Sequence, residues 1–171
     1  MLIGILTVSD RSSRGERADA SGPVIADFVQ SRLGWEIAQT AVVPDEFAVI
    51  RDTLIDWSDN LKLHLIFTTG GTGFAPRDVT PEATRAAIER ETPGIPEALR
   101  AASVKITPHA MLSRAAAGIR GRTLIVNLPG IPKAVKENLQ VLVPVLPHAL
   151  ELLQESPEAE AGHSPKKDLR A

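Results

Sequence analysis

Apolar residues in this chain fall into short blocks, and the spacing inside them alternates between two kinds. Residues 2–9 ("LIGILTVS") are apolar almost without interruption, the pattern of a strand buried on both faces. A polar stretch follows. Then Val24, Ile25, Phe28 and Val29 recur at helical spacing behind Pro23, which suits a first turn, so a helix is predicted over 21–33, with Gly34 stopping it. Residues 35–43 predict a second strand. Asp45 is placed to cap the next helix, in which Phe47, Ile50, Leu54 and Trp57 form one apolar stripe. Residues 63–69 predict a third strand and 123–127 ("TLIVN") a fourth. Between them, Thr80-Pro81-Glu82 reads as a helix start: threonine as N-cap, proline at the first helical position, an acid in the first turn. Pro93-Gly94 ends that helix, 95–106 predicts another, and Pro132 opens a further one. Pro144 and Pro147 break or kink the segment leading to "HALELLQE".

Strands alternating with helices imply parallel pairing through right-handed crossovers, hence a three-layer α/β/α sandwich with a mostly parallel sheet. The pattern bounds one domain over 1–154. From 155 to 171 the chain turns polar and mixed in charge, which predicts a disordered tail. In such folds ligands bind beyond the carboxyl ends of the strands. Ser9-Asp10-Arg11, the segment 69–78 and the segment 127–130 converge there, with Pro44-Asp45 beside them.

Composition narrows the chemistry. A net charge of −2 and 4% aromatic residues recommend neither a nucleic-acid partner nor an anionic membrane. The absence of cysteine removes disulfides, zinc–thiolate sites and thiol catalysis. The N-terminus lacks a basic region and a cleavage site, and no stretch is apolar for long enough to span a bilayer. A cytoplasmic protein is the resulting expectation.

The strand-end segment "TTGGTGFAPRDVTPEAT" (68–84) carries the most information. Its glycines allow positive φ angles and let a ligand reach backbone N–H groups. No Gly-Lys-Ser/Thr follows, and Pro76 stands where G-x-G-x-x-G requires its last glycine, so the common nucleotide motifs fail. A structural turn and a phosphate cradle both fit. Asp78 reads either as helix-end electrostatics, about 0.3–1 kcal/mol, or as a carboxylate holding Mg²⁺ on phosphates. Asp45 has the same two readings, cap or ligand. Arg11, Arg14, Arg17 and Arg77 are cations that could meet phosphates or simply face solvent. The four histidines have no metal-ligand spacing, and Ser113 has no His–Asp partner in view, so a serine-hydrolase triad has little support.

The segment 68–84 resembles the signature of the Mog-type molybdopterin-binding family, which includes the gephyrin G domain. "VSDR" (8–11), "VPDE" (43–46), "TPHAMLSRAAAGIRG" (107–121) and "LIVNLPG" (124–130) are similar to further family segments in the same order. The resemblance implies molybdenum cofactor biosynthesis by a molybdopterin adenylyltransferase: ATP and molybdopterin give adenylyl-molybdopterin and pyrophosphate with Mg²⁺. It also implies an α/β/α fold, a homotrimer and a molybdenum-insertion partner protein. By matching, the important acids are Asp45 and Asp78, both as catalytic residues and as Mg²⁺ ligands. Nucleotide and pterin contacts would come from Ser9, Asp10 and Arg11, from Gly70, Gly71, Thr72 and Gly73, and from Thr80, Pro81 and Glu82. Ser113, Asn127, Pro129 and Gly130 complete the set. Some members carry an additional arginine where this chain has Pro76. Two alternatives are a paralogue that binds molybdopterin or acts as a scaffold without catalysis, and the related domain of nicotinamide-nucleotide amidohydrolase proteins.

Overall fold

A computed structural model describes residues 1–155. After Glu155 the predicted tail lies outside the described residues. Four parallel strands form the heart of the sheet: β1 (Leu2–Val8), β2 (Glu36–Val43), β3 (Leu65–Thr69) and β6 (Thr123–Leu128). Two short strands, β4 (Arg90–Glu91) and β5 (Ala117–Arg120), continue it antiparallel, giving the order β2-β1-β3-β6-β5-β4. The mostly parallel sheet is as predicted; the antiparallel edge was not anticipated.

The continuous apolar runs serve both faces, because alternate residues leave the sheet in opposite directions. Ile3, Ile5, Leu65, Phe67, Leu124 and Val126 point into one core, shared with α2 (Gly22–Leu33), α5 (Gly94–Val104), α6 (Pro132–Leu142) and α7 (Leu146–Leu153). Leu6, Val8, Ile66 and Ile125 point into a second core, against α3 (Phe47–Asp59) and α4 (Thr80–Ala87). Strand β2 alternates exposed and half-buried residues, as an edge strand should.

Some local readings change. The loop after β1 contains one helical turn, α1 (Asp10–Ser13), capped by the Ser9 hydroxyl. Asp45 does not cap α3: Glu46 holds that position with extended backbone and no side-chain cap, and the Asp45 carboxylate is engaged elsewhere. Thr80 is the first residue of α4, not its cap, and Pro81 follows it inside the first turn. Helix α4 stops at Ala87, because Ile88 turns extended (φ −79°, ψ 158°) and delivers the next residues to β4.

The chain passes from β1 to a neighbour on one side (β2) and then to a neighbour on the other (β3). Loops leaving β1 and β3 therefore diverge, which opens a crevice at their carboxyl ends.

Candidate active site

Backbone geometry comes first. Gly70 and Gly71 adopt φ of +96° and +64°, a region costly for residues with a Cβ. Space excludes a side chain as well. A Cβ on Gly70 would fall on the Val8 carbonyl oxygen, and one on Gly71 would run into Thr80 Oγ1 and lie 2.9 Å from Asp45 Oδ1. The Gly70 amide is taken up by the Leu128 carbonyl (3.3 Å). The N–H groups of Gly71, Thr72 and Gly73 have no partner among the described residues, which leaves three consecutive donors on the turn. Thr80 N–H donates to Gly71 O (3.1 Å) and so fixes the start of α4 under that turn.

Two carboxylates flank it. Asp45 directs Oδ1 toward Gly71. Asp78 directs Oδ2 toward Gly73, 2.9 Å from where a Cβ would stand, and accepts the Ala75 N–H (3.0 Å). Asp45 and Asp10 are joined reciprocally: Asp10 N–H donates to Asp45 Oδ2 (2.8 Å), and Asp45 N–H donates to Asp10 Oδ1 (3.0 Å). Burial pushes the Asp45 carboxyl up. The Asp10 N–H opposes this, while the charges of Asp10 and Asp78 add to it. Arg77 forks onto both oxygens of Asp10 (2.9 and 2.8 Å) and reaches Glu46 (3.1 Å), and it holds the Asp10 carboxyl below the usual range. Arg77 thus serves as a clasp between loops.

The turn and both acids border a cleft of about 510 Å³, which Ser9, Ser12, Arg17 and Asp19 also line. A mainly apolar cavity of about 310 Å³ adjoins it, lined by Pro96, Leu99, Ser113, Pro129 and Ile131 among others; Thr72, Gly73 and Gly130 belong to both. Gly130 packs closely on Gly70 at this seam: a Cβ there would lie 3.3 Å from the Gly70 Cα, a tight contact.

Of the predicted positions, Ser9, Asp45, Gly70, Gly71, Thr72, Gly73, Asp78, Ser113, Pro129 and Gly130 therefore line one cavity or the other. The others do not. Asp10 is committed to Asp45 and Arg77, and exposed Arg11 borders neither cavity. Thr80 and Pro81 are buried behind the turn, although Thr80 Oγ1 has no partner. Glu82 faces Arg114 instead. Asn127 is wholly buried, donating to Thr68 (2.9 Å) and Thr84 (2.8 Å) and accepting from Ala116 N–H (3.1 Å). The reading by sequence missed Asp19, whose carboxylate accepts from the Thr7 hydroxyl and the Ser21 and Gly22 N–H groups. Its spacing ahead of Gly22-Pro23 was the available signal. It also missed Arg100, which donates to Ala115 O (3.1 Å) in the apolar cavity.

The comparisons agree with this architecture. Residues 4–148 match the family model described as "Probable molybdopterin binding domain". The chain belongs to this molybdopterin-binding family. It is 45% identical to gephyrin of Dictyostelium discoideum over 172 residues, 95% of this chain but 24% of that protein. The chain thus spans about a quarter of the gephyrin-type relatives it matches. Its match to the molybdopterin adenylyltransferase of Escherichia coli K12 is 38% identical and covers 98% of this chain and 95% of that one. Among solved structures, the molybdopterin biosynthesis enzyme MoaB of Thermus thermophilus superposes with a TM-score of 0.85 at 50% identity, covering 91% of this chain and 98% of that one. CinA of Thermoplasma acidophilum, at 17% identity and a TM-score of 0.64, shares the fold alone.

Proposed function

We propose that this member of the molybdopterin-binding family works in molybdenum cofactor biosynthesis as a molybdopterin adenylyltransferase. The observation that carries the reading is the seam. A cleft with three unpaired amide donors and two acids meets an apolar cavity at Thr72, Gly73 and Gly130. A triphosphate suits the first, a flat heterocycle the second, and the reacting phosphates would meet between them. Similarity over most of both chains to proteins named molybdopterin adenylyltransferase points the same way.

In this reaction an oxygen of the molybdopterin phosphate attacks the α-phosphorus of ATP. A P–O bond forms, the bond to the β-phosphate oxygen breaks, and pyrophosphate leaves. The nucleophile is a phosphate, so no serine, cysteine or histidine has to be activated, and catalysis rests on position and charge. The N–H groups of Gly71, Thr72 and Gly73 would bind phosphate oxygens, and Arg17 adds a cation to the lining of the cleft. The residues also suit Mg²⁺. No group of three or more potential metal-ligating side chains gathers among the described residues. Magnesium, however, commonly uses one or two carboxylates and takes its other ligands from phosphates and water. Asp78 and Asp45, on either side of the phosphate-binding turn, would hold it, and the ion would offset phosphate charge.

Exposed Phe74, Met111 and Ile131 offer apolar area for the homotrimer that belongs to the same reading. The decisive experiment mixes the purified chain with molybdopterin, ATP and Mg²⁺ and measures pyrophosphate together with adenylylated pterin. Asp78→Asn should lower turnover on the order of 100-fold; unchanged turnover would remove Asp78 from the metal. Tight pterin binding with neither product would replace the transferase reading by that of a binding module.

A further inference from the structure

Arg114 follows Ser113 in the chain but points away from both cavities, into the recess behind the glycine turn formed by Phe74, Ala75, Pro76 and Val79. Its guanidinium makes three separate contacts there. Nε–H donates to Gly73 O (2.6 Å), one terminal nitrogen to Asp78 O (2.5 Å) and the other to Glu82 Oε1 (2.5 Å). Its own backbone N–H donates to Thr72 O (2.9 Å). One residue therefore grips the turn at two points, the peptide of Asp78 and the first turn of α4.

The chain on either side of Arg114 belongs to the other cavity. Ser113 and Ala115 line the apolar side, where Arg100 holds the Ala115 carbonyl. Residues 113–115 thus touch the pterin-side wall with their flanks and the phosphate-side loop with their centre. We infer that Arg114 is a positioning residue, which sets Asp78 and the Gly73 end of the turn at a fixed offset from the apolar cavity. The inference rests on the transferase reading above. It needs the planar fork of a guanidinium, because each of the three acceptors is met by a different nitrogen, and the one nitrogen of a lysine ammonium cannot occupy all three positions. The Arg114 side chain borders neither cavity, so its loss removes no contact that it makes with a substrate itself and acts through the positions of Gly73 and Asp78.

The test uses the full chain with Arg114→Ala and Arg114→Lys. A misplacement of about 1 Å at reacting groups costs on the order of 100-fold, so Arg114→Ala should lose about that in kcat. KM for molybdopterin should stay within about threefold and KM for ATP should rise by less than kcat falls, the signature of an interaction expressed mainly in the transition state. Arg114→Lys should remain low. Guanidinium chloride at low millimolar concentration should partly restore Arg114→Ala, and potassium chloride at equal ionic strength should not. In hydrogen exchange without substrate, the hydrogen-bonded amides of Ala75, Asp78 and Thr80 should exchange faster in both variants while the β1, β3 and β6 amides keep their protection.

Wild-type kcat in Arg114→Ala, or full activity in Arg114→Lys, would overturn the assignment. So would a loss of kcat with unchanged loop exchange and no response to guanidinium. If Arg114→Ala does not fold, Arg114→Lys decides by the same readouts. A wild-type chain that makes no adenylylated pterin defeats the transferase reading instead, and loop exchange alone then judges the positioning role.

Discussion

Asn127 lies at the centre of the sheet with no exposed surface, and its amide is satisfied at both ends. Replacing it with alanine leaves the buried Ala116 N–H without an acceptor, a cost of about 1–3 kcal/mol. The Thr68 and Thr84 hydroxyls lose a donor but can still donate elsewhere, so together they add about 1 kcal/mol. The small cavity adds about 1 kcal/mol more. Asn127→Ala should therefore lose about 3–5 kcal/mol in urea unfolding with an unchanged m-value, and roughly 10 °C in Tm for a domain of this size. Asn127→Asp supplies a sharper test. A carboxyl in that position has its pKa raised by burial, so the folded state prefers the protonated form. The variant's stability is then greatest below the unfolded carboxyl pKa of about 4 and falls as pH rises through the higher folded value. Unfolding curves at a series of pH values check both claims. A loss below about 1 kcal/mol for the alanine variant, less than one unsatisfied buried donor costs, would refute this account of the network. So would an aspartate variant no less stable at pH 7 than at pH 4.

Two further substitutions probe the cleft. Gly71→Ala should cost about 1–2 kcal/mol from its left-handed backbone, and its Cβ would displace Thr80 and Asp45. ATP affinity by calorimetry should fall about tenfold or more, in line with 1.4 kcal/mol per decade, and wild-type affinity would contradict the packing argument. Asp19 is subject to burial, which raises its pKa, but hydrogen bonds from Thr7, Gly22 and Ser21 outweigh this and hold the carboxyl below the usual range. Its contribution is present above the unfolded pKa of about 4 and disappears as pH falls through the lower folded value. Asp19→Asn should thus lose about 1 kcal/mol at neutral pH, with the gap to wild type closing in acid; a gap that widened in acid would reverse the assigned sign.

What the sequence made legible follows from where the physics is local. Strands β1, β3 and β6 are buried on both faces, so each appears as a continuous apolar run. Strands β4 and β5 have no such mark: Arg90-Glu91 is exposed, and "AGIR" becomes a strand by pairing with β6. Within the site, positive φ demands glycine, so the turn could be read at once. The environment of Asp45 could not, because a carboxylate that accepts an N–H looks the same whether the donor belongs to the next helix or, as here, to Asp10, 35 residues earlier. Arg77 and Arg114 reach their partners across 67 and 41 residues, and nothing in their neighbourhoods fixes those partners. Family likeness supplied the two acids, but not the cations that hold the loops around them. That division suits chemistry without a protein nucleophile. Such a site must hold backbone donors and charges at set distances, and side chains that only hold others in place announce themselves in contacts, not in motifs.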